Sequence, residues 1–83
     1  MNNKLEALLS DLRSILPPVI YREHPDLKNI FGIDRRTLAN LDSLGEGPPE
    51  RVKLGRKVGY PRETFLAWWA SKVELENAKS AGK

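Results

Sequence analysis

The stretch "RVKLGRKVGYPRE", residues 51–63, sets Arg51, Lys53, Arg56, Lys57 and Arg62 around one turn, with no acid before Glu63. Ammonium and guanidinium groups gathered in this way neutralise phosphates or acidic side chains; they do not by themselves make or break covalent bonds. The whole 83-residue chain has a net charge of only +3, with 14 Lys and Arg against 11 Asp and Glu, so this short segment carries more positive charge than the molecule as a whole. A field that local suits a polyanion better than a small substrate. Its bland alternative is a solvated charged face.

A second set lies just upstream in "GIDRRTLANLDSLG", residues 32–45. Asp34 is a good N-cap, its carboxylate placed to accept from backbone amides two or three residues on, and Gly45 is a good C-terminal stop. A helix is therefore expected from about residue 35 to 44. Leu38, Leu41 and Leu44 fall on its inner side, whereas Arg36, Asn40 and Ser43 line the outer side at steps of four and three, with Arg35 and Thr37 flanking them near the start. Arg and Asn are the residue types that hydrogen-bond guanine and adenine edges in bidentate fashion. Any exposed helix face can carry such residues, so what surrounds them decides their meaning.

Catalytic chemistry finds little here. The one histidine, His24, precedes Pro25 near a helix start and reads as a capping or surface residue rather than a base or ligand. Glu74 and Glu76, two apart on an expected helix, do not share a face. "GEG" at residues 45–47 and "LGRKVG" at residues 54–59 lack the further residues of dinucleotide and phosphate loops, and Ser10, Ser14, Ser43 and Ser71 have no evident histidine partner. No enzyme, cofactor or metal is expected. With no cysteine there is neither a disulfide framework nor a thiolate metal site, and Glu6, Asp11 and Arg13 interrupt the first apolar stretch, so neither a signal peptide nor a membrane span is expected. A cytoplasmic setting follows as the expectation.

The elements that must position these residues are readable in outline. In "NKLEALLSDLRSIL", Leu5, Leu8, Leu9, Leu12, Ile15 and Leu16 make one stripe of an amphipathic helix, with Asn2 or Asn3 as cap and Pro17 and Pro18 as its end. "VIYREH" reads as an extended connector. Pro25 opens a short second helix with Leu27, Ile30 and Phe31 facing inward and Gly32 as its stop. Two short helices joined by a glycine-containing turn make a helix-turn-helix, whose second helix can enter the major groove with its N-terminal residues foremost.

"RVKL" and "VGY" are two β-prone runs around "GRK", with Gly55 suited to the positive φ of a tight hairpin. Alternation puts Val52 and Leu54 on one face and Arg51 and Lys53 on the other. A basic hairpin directly after a helix-turn-helix is a wing, able to lie along the DNA backbone or reach the minor groove. In "YPRETFLAWWASKVELE" Pro61 opens a fourth helix on which Phe65, Trp68, Trp69 and Val73 form a broad apolar stripe. The tryptophans therefore read as core rather than as base-stacking platforms. Tyr60 is expected to close the wing onto that core.

Residues 27–70 resemble the small winged-helix domain of the phage excisionase and AlpA-like regulator families, related to the DNA-binding domain of MerR-type regulators. The resemblance is carried by "GIDRRTL", the connector "GEGPPE" and "RVKLGRKVGYPRETFLAWWA" in that order. It implies a recognition-helix role for Arg35, Arg36, Thr37 and Asn40, a wing role for Lys53, Arg56 and Lys57, and a core tryptophan in Trp68. Gly47, where a bulky apolar residue is common, Leu44, where a polar one is, and the extra first helix depart from that pattern.

The expected fold class is thus mainly α with one β-hairpin: a winged helix-turn-helix over residues 19–76, preceded by an N-terminal amphipathic helix over 1–18 and followed by a flexible polar tail over 77–83. The expected partner is double-stranded DNA, contacted by Arg35, Arg36, Thr37, Asn40, Ser43, Arg51, Lys53, Arg56, Lys57 and Arg62. By resemblance the role is transcriptional regulation of a phage or mobile element, or an excisionase-like architectural function with an integrase as further partner. An alternative by resemblance is a DNA-packaging domain like that of a phage terminase small subunit, which can use a similar winged domain. From a different class, the basic hairpin and Leu-rich first helix would suit a protein-interaction module. About fourteen residues of isolated helix are marginal in water, so the first helix must cover its stripe, either on its own domain or on a second copy of the chain.

Overall fold

The computed structural model describes residues 3–73, so the cap assigned to Asn2, the pair Glu74 and Glu76, and the tail over 77–83 lie outside the described residues. Its elements run α1 (Asn3–Ile15), β1 (Val19–Tyr21), α2 (Pro25–Asn29), α3 (Arg35–Ser43), β2 (Val52–Leu54), β3 (Lys57–Pro61) and α4 (Arg62–Lys72). The strands form one antiparallel sheet in the order β1-β3-β2.

The sheet departs from the expectation of a lone hairpin. "VIY" is a strand rather than a connector, pairing Val19 with Pro61, Ile20 with Tyr60 and Tyr21 with Gly59. Three residues are too few to display alternation, and their partner strand is distant in sequence, so no local pattern marks them. Gly59 permits the close approach: a Cβ there would meet Tyr21 Cδ1 at 2.9 Å and Val19 Cγ1 at 3.0 Å. On the other side of β3, Val52 pairs with Gly59, Lys53 with Val58 and Leu54 with Lys57, leaving Gly55 and Arg56 as a two-residue loop. Gly55 has φ +61°, and glycine at the first loop position is what a type II′ turn requires.

The helix ends follow local chemistry. His24 Nδ1 accepts from the backbone N–H of Asp26 at 3.0 Å, capping α2, with Pro25 next to it in the first turn. Asp34 Oδ1 accepts from the backbone N–H of Thr37 at 2.8 Å. At the far end of α3, Gly45 adopts φ +74°, its N–H bonds Asp42 O at 3.0 Å, and Glu46 N–H bonds Leu41 O at 2.8 Å, a Schellman closure.

Every element but β2 contributes to one core. Leu12, Leu16, Ile20, Leu27, Leu38, Tyr60, Phe65 and Leu66 are all buried, with Phe31, Trp68 and Trp69 packed against them. Phe31 meets the rings of Phe65 and Trp69 edge-on at 5.0 and 5.2 Å, an arrangement that sets ring edges on ring faces. Leu8, Leu9, Leu12 and Leu16 of the first stripe thus pack on the chain's own core, and Arg13 spans from α1 to Glu63 on α4 at 2.8 Å.

Three apolar residues assigned inward are instead exposed, Ile15 at 58%, Ile30 at 40% and Leu44 at 68%, and Leu54 of the hairpin is exposed at 64%. Each stands at or beside the end of its element, where the chain turns away from the core. Periodicity gives the side of a helix or strand but not how far its neighbour extends.

Candidate nucleic-acid interface

The side chains of Arg35, Arg36, Thr37, Asn40 and Ser43 are all on exposed residues of α3. Leu38 anchors the opposite face, buried in the core, and the Asp34 cap fixes where the helix starts. The Asp34 carboxyl is held below its usual range, first by the backbone N–H of Thr37 and less by the charges of Lys28 and Arg36. Two of them use their hydroxyls locally: Ser43 donates to Asn40 O at 2.9 Å, and the Thr37 side chain bonds the Asp34 carboxylate.

The hairpin brings Arg56 to this helix. An open cleft of about 340 Å³ is lined by Arg22, Glu23, Arg35, Arg36, Ala39, Arg56 and Val58. Two cations at the start of α3 therefore share one concavity with the cation of the hairpin loop. Lys53 and Lys57 are exposed on the flanking strands. None of Arg35, Arg36, Lys53, Arg56 or Lys57 forms an ion pair with an acid among the described residues. Glu23 is the single acid of the cleft.

Two of the basic residues grouped in sequence stand elsewhere. Arg62, at the start of α4, donates to Leu16 O at 3.2 Å and to Glu63 at 3.3 Å, tying α4 to the chain just past α1. Arg51 places its guanidinium 3.9 Å from Asp42 Oδ2. The local charge of residues 51–62 is thus divided between an open face and structural contacts.

Arg22 and Asp42, which sequence reasoning passed over, join Tyr60, expected to close the hairpin onto the core, in linking α3 to the sheet. Asp42 on α3, with its side chain 4% exposed, accepts from Arg22 Nη2 at 2.5 Å and from the Tyr60 hydroxyl at 2.6 Å, both on Oδ2. Arg22 Nε also donates to the Tyr60 hydroxyl at 3.0 Å. Burial and then the bond to Asp42 push the Tyr60 hydroxyl up to about 12. Burial opposes the Arg22 charge, but the bonds to Tyr60 and Asp42 prevail and raise its pKa. Counted along the chain, Arg22 and Asp42 merely cancel nearby charges, and no spacing rule pairs them.

Trp68 makes a further link, its Nε1 donating to Glu46 O at 2.9 Å in the connector between α3 and β2. Among the described residues no three His, Asp or Glu side chains gather as metal ligands do, and no helix is long and apolar enough to cross a membrane. No family model matches the chain, and no curated protein or solved structure matches it either.

Proposed function

We propose that this chain is a small winged helix-turn-helix protein that binds double-stranded DNA without a cofactor. In this reading α2 and α3 are the helix-turn-helix and β2–β3 is the wing. Residues 35–43 enter a major groove, with Arg36 and Asn40 directed to base edges, while Lys53, Arg56 and Lys57 hold phosphates or the adjacent minor groove. The carrying observation is the convergence of Arg35, Arg36 and Arg56 on one open cleft, free of ion pairs with acids among the described residues. A surface evolved only for solubility has no need to aim cations from a helix and a hairpin loop at the same space. Between the two roles carried by the family resemblance, regulation of a mobile element is the one we favour over an excisionase-like bending function.

Fluorescence anisotropy of a labelled random duplex tests the proposal, read from about 25 to 200 mM salt for the wild type and for Arg56→Ala with Lys57→Ala. Binding should weaken steeply with salt, and the double variant should lower the log–log slope by about two, one counterion for each lost phosphate contact. Absence of binding at the lowest salt would overturn the reading and favour an acidic protein partner for the hairpin.

A further inference from the structure

The Asp42 carboxylate, on α3, is nearly buried and accepts on its Oδ2 from Tyr60 of β3 and from Arg22. We infer that Asp42 is a positioning residue: through Tyr60 and Arg22 it holds the hairpin at a fixed distance from α3, so that both can engage one duplex at once. The inference rests on the DNA-binding reading and adds a role that no exposed residue performs.

Three observations carry it. Asp42 belongs to α3 and Tyr60 to β3, so the 2.6 Å hydrogen bond joins the helix directly to the strand that leaves the hairpin loop. Arg22, immediately after β1, bonds both partners, which closes a triangle among three elements rather than a single tie. The Tyr60 ring is fully buried beside Phe65, so its hydroxyl is presented from a fixed base. A rigid ring and a bidentate-capable guanidinium leave the carboxylate little freedom to follow any other geometry.

A negative charge so close to a DNA-binding surface is otherwise unfavourable for binding a polyanion. Simple electrostatics therefore expects Asp42→Asn, which raises the net charge by one, to bind DNA more tightly. A positioning role expects the opposite. The anisotropy measurement with the labelled random duplex separates them, run well below each variant's unfolding temperature as read by circular dichroism. Asp42→Asn should weaken binding by about tenfold, within the usual range of coupling between two sites, and should lower the salt slope by about two as Arg56 and Lys57 lose their phosphates. Tyr60→Phe, which changes no charge and keeps the buried ring, should move both quantities in the same direction.

A double-mutant cycle removes the remaining ambiguity. In the Arg56→Ala, Lys57→Ala background only Lys53 remains of the proposed wing contacts, so Asp42→Asn should have a much smaller further effect on affinity than in the wild type. Tighter binding by Asp42→Asn at an unchanged slope, or an equal loss in both backgrounds, would overturn the positioning role while leaving the DNA-binding reading intact. A wild type that does not bind at all would remove that reading itself.

Discussion

Gly47 lies against Asp42 so closely that a Cβ at position 47 would collide with Asp42 Oδ1 and approach the backbone nitrogen of Asp42 to 3.4 Å. The glycine in the connector is therefore a steric partner of the carboxylate rather than a flexible spacer. Replacing it should displace Asp42 from Arg22 and Tyr60. Gly47→Ala is expected to lower stability by about 1–3 kcal/mol, the usual cost of forcing an extra carbon into a packed site. In an Asp42→Ala background the same substitution should cost clearly less, because the colliding oxygen is gone. Urea denaturation of the four proteins measures the difference, and equal costs in both backgrounds would refute the steric account.

The first helix allows a contrast within two adjacent residues. Leu16, just past α1, is 4% exposed against the core, while Ile15 is 58% exposed. Leu16→Ala should destabilise by about 2–4 kcal/mol through lost burial and the cavity left behind. Ile15→Ala should stay within about 0.5 kcal/mol, as exposed substitutions usually do. Thermal unfolding decides this, and similar losses at both positions would mean that another surface covers Ile15.

Local chemistry made the helices of residues 3–43, the hairpin and the start of α4 legible in the sequence. Asp34, Gly45, Gly55 and Pro61 each do in the fold what their residue type does in any chain, because a cap or a turn is decided within a few residues. What stayed illegible depends on distant partners. β1 exists because β3 offers it a free edge and Gly59 makes room. Leu66, absent from the stripe read for α4, is buried because α4 is enclosed on more than one side. The candidate interface divides in the same way. Exposed cations on α3 and the hairpin follow from periodicity and alternation, whereas the diversion of Arg51 toward Asp42 and of Arg62 toward Leu16 O follows only from the folded neighbourhood.

Tyr60 gives the fold a distinct response to alkali. Its hydroxyl is raised from 10.0 to about 12, first by burial and then by donation to Asp42. A raised folded-state pKa means that the neutral form is favoured in the native state, so this contribution is fully present below pH 10. It is lost as pH climbs from about 10 to about 12. The urea midpoint of the wild type should therefore fall more steeply across that window than that of Tyr60→Phe, which has no proton to lose. Parallel curves for the two proteins would show that Tyr60 ionises no less readily in the folded state than in the unfolded one.

Residues on α3 and residues on the hairpin should fail differently when removed. Arg36 and Asn40 lie on the exposed side of α3 and Lys57 opens β3 beside the loop; in the proposed DNA-binding mode the first two face base edges and the third the backbone. Once a preferred site has been selected from a random pool, Arg36→Ala and Asn40→Ala should each relax discrimination at single base positions by about 1–3 kcal/mol. Lys57→Ala should weaken every sequence alike and lower the salt slope by about one. The informative quantity is the ratio of preferred-site to random-duplex affinity, since a phosphate contact leaves it unchanged and a base contact does not. If Arg36→Ala preserves that ratio while lowering the slope, Arg36 belongs with Arg35 and Arg56 as part of a backbone clamp. Base reading would then fall to Asn40, because Ser43 engages its hydroxyl with Asn40 O and Thr37 with the Asp34 carboxylate.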